Sequence, residues 1–408
     1  MSNAFKIPVY ELKIGMYVSS LDRPWIETPF LLQGFTVETE QDIDALCKLC
    51  EYVYIDVKPR RQSAASFKPV KSTPRKSTKD IFFGKKLNIY TDQSDWRSEY
   101  PQAQEALNGL SQCVEDIVYS TDNTITLDMI KVKQAAEPMI DSITRNPDAC
   151  IWLAKMKAED NYTFHHSLSC SIWAVALGRQ LGLPKADLRS LAVGGLLFDV
   201  GKLQIDKTLL NSSRRLSTAE FEQIKQHVGL GVDALRDSGI INKDILDMVA
   251  YHHERHNGKG YPHGLAGNDI PVFARIAAIV DCYDAITSHR HYAKALPPSL
   301  AIKKLYEWKD IDFQAELVEE FIQAVGIYPA GTLVELSSGE VAIVVAEYRS
   351  RRLRPQVLVM LDQNKKPLPD AVFIDLLTET HTADGRPLEI VGSLEPDAYG
   401  IDMTAIQL

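Results

Sequence analysis

Apolar and polar residues alternate with different periods in different parts of the chain. The first part, residues 1–58, combines short period-two runs with one helical run and predicts a small α+β module. We expect its strands at 7–12, 17–21, 30–37 and 52–57 and its helix around 41–50. Residues 59–80 are rich in Lys, Arg, Ser and Pro and contain few large apolar side chains, which predicts a flexible basic linker.

The pattern then becomes helical and later returns to strands. Residues 81–149 predict a helical connector, and 150–327 predict an all-α domain with almost no strand signal. Residues 328–408 carry short β-like runs separated by Gly- and Arg-containing turns, which predict a C-terminal β appendage. We therefore expect a mainly α protein, with an all-α core, a small α+β N-terminal module and a short C-terminal β appendage.

Composition excludes several classes of protein. The chain has 408 residues, of which 45% are hydrophobic and 24% charged, as in ordinary globular proteins. Its formal net charge of −9 gives no overall positive field for DNA or anionic lipid. No apolar run approaches the length of a membrane span and the N-terminus lacks a signal-peptide pattern, so we expect no membrane span and a cytoplasmic location. Cys47 and Cys50 form a lone CxxC on an amphipathic helix, where core or surface thiols are expected rather than zinc ligands.

Histidines are concentrated in one third of the chain. Nine of the ten lie between positions 165 and 291. Several of them, and two aspartates, border apolar helical stripes: His166 at the expected start of a helix, His252 with His253 beside it, and Asp199 and Asp281 after apolar runs. His227 flanks the inward side of a helix expected from Ser217, whose capping box is completed by Glu220.

A single inward histidine or aspartate is usually a hydrogen-bonded core residue. Several together in an all-α core point instead to divalent metal ions, because an unpaired buried carboxylate costs several kcal/mol. Mixed His/Asp sets suit iron, manganese, zinc or nickel. Two aspartates and four histidines exceed the ligands of one tetrahedral ion, which favours a two-metal centre.

Cations and a glycine-rich loop follow the metal candidates. Gly258, Gly260 and Gly264 with Pro262 predict a tight loop that lets a bulky ligand approach closely. Lys202 and the later pair Arg290 and Lys294 add positive charge, although surface charge is an equally common role for that pair. Metal ions flanked by cations indicate phosphate chemistry.

These motifs resemble the HD-GYP phosphodiesterases, which degrade the bacterial second messenger cyclic di-GMP. The resemblance covers about 150–335 and rests on FHHSLS, GGLLFDVGK, KQHVGLG, HHERHNGKGYPHGLAGNDIP and ARIAAIVDCYDAITSHRHY. It implies an all-α metallohydrolase that opens cyclic di-GMP to linear pGpG, and sometimes on to GMP. Residues 1–58 and the linker also look like the small module of unknown function that precedes this domain in many members.

The resemblance also implies roles for individual residues. The implied metal ligands are His166, Asp199, His227, His252, His253 and Asp281, with Asp199 bridging two ions. The implied catalytic residues are Asp199 and Lys202. The implied substrate contacts are Lys202, Gly258, Gly260, Tyr261, Pro262, Arg290 and Lys294. The expected cofactors are two divalent ions, iron or manganese first, with zinc, nickel or magnesium as alternatives. The expected partners are cyclic di-GMP and other signalling proteins such as diguanylate cyclases.

The sequence departs from the family pattern at informative positions. Phe198 replaces the histidine ligand of the HD pair, so one metal would keep Asp199, His227, His252 and His253 while the other keeps only His166, Asp199 and Asp281. The second site should therefore be weaker. Tyr162 replaces the glutamate of three-metal members, and Asn257 replaces the usual aspartate of the loop. Two alternatives stay open: a non-catalytic signalling module, and an HD-type phosphohydrolase for another nucleotide.

Overall fold

The computed structural model describes residues 4–22, 35–37, 40–56, 78–118, 127–155, 162–210, 212, 214, 216–288, 294–349, 351–382 and 384–401. Its N-terminal module is an antiparallel sheet in the order β1-β4-β2-β3 with one helix. The elements are β1 (Ala4–Pro8), β2 (Tyr17–Leu21), β3 (Phe35–Thr36), α1 (Glu40–Leu49) and β4 (Tyr52–Asp56). Val18, Leu46 and Val53 are fully buried between sheet and helix, and the predicted α+β module is confirmed.

The first strand differs from its predicted bounds. It begins at Ala4 and ends at Pro8, after which Val9–Glu11 forms a 3-10 turn. The Val9 N–H still donates to the Glu51 carbonyl at 3.2 Å, so the strand ends where the chain bends into this 3-10 turn. Residues 30–34 of the predicted third strand and most of the predicted linker lie outside the described residues.

The centre of the chain is helical, as expected. Its helices are α2 (Thr78–Ile81), α3 (Trp96–Val118), α4 (Met129–Arg145), α5 (Pro147–Lys155), α6 (Tyr162–Gln180), α7 (Lys185–Leu197), α8 (Lys207–Leu210), α9 (Thr218–Lys225), α10 (His227–Asp237), α11 (Lys243–Tyr251), α12 (Val272–Thr287), α13 (Pro298–Glu307) and α14 (Ala315–Val325). Helix α6 packs against α7, α12 and α14, and its Ile172, Trp173 and Leu177 are fully buried. No helix in the described part of the chain is long and apolar enough to cross a membrane.

Two helix boundaries correct the sequence expectations. His166 lies one turn inside α6 rather than at its start. The single helix expected after Ser217 is divided at Gln226 into α9 and α10. The Ile224 carbonyl accepts from the His227 side chain at 2.7 Å, and this side-chain bond competes with the backbone ladder where the helix is divided.

The C-terminal appendage is an antiparallel sheet in the order β8-β7-β6-β5-β9. Its strands are β5 (Leu333–Leu336), β6 (Val341–Ala346), β7 (Gln356–Leu361), β8 (Pro367–Asp375) and β9 (Ile390–Ser393). The predicted β appendage is confirmed, and β9 was not anticipated because it is a four-residue strand containing glycine. Apolar residues of β6 join the main helical core.

Charged groups also join the sheet to the helices. Arg349 donates to Asp148 of α5 at 2.6 Å and to Asp92 at 3.2 Å, and Arg179 of α6 donates to Asp92 at 2.7 Å. Arg352 donates to Glu347 at 2.7 Å. We call these six residues the interdomain charge cluster. Its two Arg349 pairs join residues more than 200 positions apart and connect the segment after β6 to the helical domain.

Candidate metal centre

Four helices and one connecting segment bring the predicted ligands to a single buried place. His166 comes from α6 and Asp281 from α12, whereas His227 opens α10 and His252 follows α11. These residues are at most 9% exposed. Asp199, from the segment after α7, is 3% exposed and lies among them. Such burial is unfavourable for ionisable groups unless they are hydrogen-bonded, ion-paired or metal-bound.

Asp199 owes its position to the end of α7 and the turn that follows. Its backbone is no longer helical, with φ −100° and ψ 6°, and Val200–Gln204 forms a 3-10 turn. Within that turn, a Cβ on Gly201 would lie 2.0 Å from the His227 carbonyl oxygen, so only glycine allows the turn to pack against α10. The same turn brings Lys202 Nζ to 2.5 Å from Asp199 Oδ2.

Asp199 and three histidines form the primary ligand set. The Nε2 atoms of His227 and His252 lie 3.4 and 3.6 Å from Asp199 Oδ1. With His253 included, the four residues offer ligand atoms that all lie within 4.8 Å of one another. Atoms at this spacing can converge on one ion.

Hydrogen bonds to backbone carbonyls orient two of these imidazoles. His227 Nδ1 lies 2.7 Å from the Ile224 oxygen, and His252 Nδ1 lies 3.0 Å from the Val249 oxygen. Because a carbonyl oxygen only accepts, each Nδ1 carries a proton, and Nε2, which faces Asp199, is the ring atom left for a metal ion. Metal-binding histidines are commonly oriented in this way.

The electrostatics of the primary set also suit a metal cation. Burial lowers the pKa of His227 to about 4 and the pKa of His253 well below its usual value, so both imidazoles are neutral at pH 7. Burial opposes ionisation of Asp199, but the nearby charge of Lys202 helps to hold its pKa well below the usual range. Oδ1 of Asp199 is buried and accepts no hydrogen bond from any described residue. Neutral imidazoles around an unsatisfied carboxylate oxygen fit a divalent cation.

A second set adjoins the first through the other oxygen of Asp199. His166 Nε2 lies 3.2 Å from Asp281 Oδ1 and 3.7 Å from Asp199 Oδ2. His166 Nδ1 lies 2.8 Å from Asp284, which also accepts from Trp173 Nε1 at 3.3 Å. Asp284 was not among the predicted site residues, although it lies one helical turn after Asp281 on the same apolar helix.

Phe198 lies between the two sets. Its ring is fully buried, with centroid distances of 5.8 Å to His166 and 4.8 Å to His252. A side chain at this position therefore faces both ligand groups, but phenylalanine offers no donor atom. The second set is consequently left with fewer ligands than the first.

The glycine-rich loop begins directly after the histidines. Gly258 has a φ of +74°, and a Cβ on Gly260 would lie 2.4 Å from the backbone nitrogen of Arg255. The buried carboxylate of Glu254 accepts from the backbone N–H groups of His263 and Leu265 and closes the loop. Sequence reasoning gave Glu254 no role.

This arrangement places the Tyr261 ring 4.6 Å from the ring of His253. Pro262, the next residue, is exposed. The predicted substrate-facing loop is therefore adjacent to the primary ligand set.

The predicted cations differ in where they lie. Lys202 contacts the primary set through Asp199. Lys294 is exposed between α12 and α13, and Arg290 lies outside the described residues. Their roles towards substrate stay predictions.

The helical core and its buried His/Asp groups define the class of an HD-type metallohydrolase domain. Residues 152–315 match the family model described as HD domain, a fold that implies divalent metal binding. Residues 4–130 match a domain of unknown function, and 333–383 match a KOW domain associated with the HD domain.

Curated relatives narrow this class. A cyclic di-GMP phosphodiesterase of Pseudomonas aeruginosa is 31% identical over 91% of this chain and 88% of its own length. The cyclic di-GMP phosphodiesterase response regulator RpfG of Xanthomonas campestris is 32% identical over 36% of this chain and 39% of its own. A 3'3'-cGAMP-specific phosphodiesterase of Vibrio cholerae is 31% identical over 37% of this chain and 32% of its own. The chain belongs to the HD-GYP family of HD domain proteins.

Proposed function

We propose that this chain is a metal-dependent phosphodiesterase that hydrolyses cyclic di-GMP to linear pGpG. The observation that carries the proposal is the unsatisfied Oδ1 of Asp199, which faces the imidazoles of His227 and His252 beside the glycine-rich loop. The name of the Pseudomonas relative, which matches nearly the whole chain, supports cyclic di-GMP as the substrate.

The two ligand sets would bind metal unequally. Asp199, His227, His252 and His253 would hold the tighter ion, and His166 and Asp281 would share Asp199 with a weaker one. When bound, divalent ions such as iron or manganese polarise a phosphodiester and lower the pKa of water towards neutrality. The loss of a ligand at Phe198 predicts reduced rather than absent activity.

The residues of this chain would place the substrate phosphate. The Lys202 ammonium lies against Asp199 with a quarter of its side chain exposed, so it can reach a phosphate oxygen and balance its charge. Gly258, Gly260, Tyr261 and Pro262 would form the adjoining wall, where little side-chain bulk hinders a cyclic dinucleotide. We assign Arg290 and Lys294 to the remaining phosphate contacts.

Turnover by the metal-loaded protein tests the proposal. The full chain, loaded separately with Fe(II) and Mn(II), should convert cyclic di-GMP to pGpG, and a chelator should stop the reaction. Parallel assays with 3'3'-cGAMP separate the two substrates named among the relatives. Absence of cyclic di-GMP turnover with every divalent ion tried would contradict the proposal.

Phe198 favours a second candidate function, a signalling module that binds the nucleotide without cleaving it. Its ring occupies the place of a ligand and leaves the second set incomplete. This function predicts tight binding of cyclic di-GMP with no product. Product formation by the wild-type chain would exclude it.

A further inference from the structure

A series of rings leads from the metal centre to the protein surface. The rings of His252 and His253 are 4.0 Å apart, and the Tyr261 ring follows at 4.6 Å from His253. Phe221 of α9 comes next, edge to face with Tyr261 at 6.1 Å. Its side chain is 43% exposed, so the series ends at solvent.

Phe221 is an unusual residue for its helix. In the part of the chain that the structure describes, no residue of α9 is buried, so Phe221 is not an anchor that docks α9 on the core. Single exposed apolar residues are common on proteins. This one, however, continues a wall that starts at a proposed metal ligand.

Helix α9 is held firmly relative to the metal centre. Its start is fixed by the Ser217–Glu220 capping box, and its last turn is tied to His227 by the hydrogen bond to the Ile224 carbonyl. Phe221 therefore keeps a defined position towards the primary ligand set. A rigidly placed aromatic face loses little conformational entropy on binding a ligand.

A cation accompanies the two outer rings. Lys225 Nζ lies 5.0 Å from the Phe221 centroid and 5.3 Å from the Tyr261 centroid, and it pairs with Glu222 at 2.7 Å. Aromatic rings next to a lysine suit a ligand that has both a flat π-system and negative charge. Purine nucleotides have both.

We propose that Phe221, with Tyr261 and Lys225, forms a subsite that stacks one purine base of the substrate while its phosphate lies at the metal centre. The inference rests on the proposed function, since it assigns the base of a nucleotide whose phosphodiester is cleaved there. It makes Phe221 a specificity-determining residue rather than a catalytic one.

The test separates recognition of the base from recognition of phosphate. Phe221→Ala should raise the KM for cyclic di-GMP about tenfold, the loss expected when one stacked base loses its ring. The accompanying fall in kcat and the change in the inhibition constant of inorganic phosphate should both be much smaller. Phe221→Trp should restore the KM, because a larger aromatic face replaces the first.

Phe83→Ala is the matched control. Phe83 is 92% exposed, and nearby Lys85 pairs with Asp187 in the first turn of α7, at the opposite end of that helix from Asp199. The control should leave the KM at the wild-type value. An unchanged KM in Phe221→Ala would overturn the subsite. An equal rise in KM and in the phosphate inhibition constant would also overturn it, since the effect would then lie in the metal centre.

Failure of the base subsite can be distinguished from failure of the proposed phosphodiesterase function. If the wild-type chain does not turn over cyclic di-GMP, the phosphodiesterase proposal fails. Calorimetric titration with GMP and with inorganic phosphate then decides the subsite on its own. Phe221→Ala should weaken GMP about tenfold more than phosphate, and equal effects on both would refute the subsite.

Discussion

Two places in this molecule bury several ionisable groups, and the charges of these groups are compensated differently at each place. In the interdomain charge cluster, three carboxylates are matched by three guanidinium groups of the same chain. In the metal centre, Asp199, Asp281 and Asp284 have imidazoles and, among the described residues, one ammonium group within ion-pair distance. The first place has as many guanidinium groups as carboxylates, whereas the second has, in the described part of the chain, three carboxylates and one ammonium group and retains negative charge for a cation from outside.

The difference separates a structural role from a functional one. Matched buried pairs gain little net stability, but losing one partner is costly because the other charge stays buried. A buried carboxylate such as Asp199, one oxygen of which accepts no hydrogen bond from the described residues, has no structural advantage over apolar packing. The burial of this carboxylate is explained by a role in binding a cation. Mutations in the interdomain charge cluster should therefore change the free energy of unfolding, whereas mutations in the metal centre should change the metal content.

The largest effect should follow Asp199→Asn. The substitution removes the charge that both ligand sets share, so turnover of cyclic di-GMP should fall at least about 10⁴-fold. Elemental analysis of the purified protein should show the loss of metal. The control Asp233→Asn alters an exposed aspartate of α10 and should change neither quantity. Full metal content in Asp199→Asn would refute its place in the ligand sets.

Breaking the interdomain charge cluster should act on stability instead. Arg349→Met leaves Asp148 buried without its guanidinium and should lower the free energy of unfolding by about 3 kcal/mol or more in denaturant titration. Arg386→Met, at an exposed pair with Asp384, should cost at most about 1 kcal/mol. Metal content should stay at the wild-type level in both variants. A loss of metal in Arg349→Met would break the distinction between the two places.

The pH dependence of the free energy of unfolding should reveal the titration of Glu347. Burial, opposed by Arg352 and Arg349, raises its pKa from 4.5 to about 7. Between these values the folded protein holds a proton that the unfolded chain has released, so stability falls as pH rises through this window and is steady above it. The shift corresponds to about 3 kcal/mol.

Glu347→Gln keeps the shape of the protonated acid and should remove this contribution. The variant should be more stable than the wild type at about pH 8 and nearly equal to it at about pH 5, as measured by chemical denaturation. The same difference at both pH values would show that Glu347 does not titrate in this window.

The smallest expected effect concerns the weaker ligand set. Phe198→His should restore a donor between His166 and His252, tighten the second ion about tenfold and raise the metal content. Added Mn(II) should increase the melting temperature of the variant more than that of the wild type. Phe198→Leu, which supplies no donor, should not gain metal. Equal metal content in all three proteins would count against a second site at this place.

Sequence reasoning succeeded where a residue has a local signature. The helical periods, the capping box at Ser217 and the motif string around His252 and His253 lie in continuous segments. Contacts between residues that are distant in sequence, or that depend on side-chain geometry, could not be predicted in this way. Arg349 and Asp148 are 201 positions apart and neither follows a periodic pattern. The division at Gln226 coincides with a side-chain bond from His227 to Ile224, a contact that the sequence does not reveal.

The burial of Phe198 has a consequence for how such a centre diverges. Its ring is fully buried and packs against two imidazoles, so it fills the space between the ligand sets without offering a ligand atom. Metal stoichiometry can then change during evolution while the packing of the core is preserved.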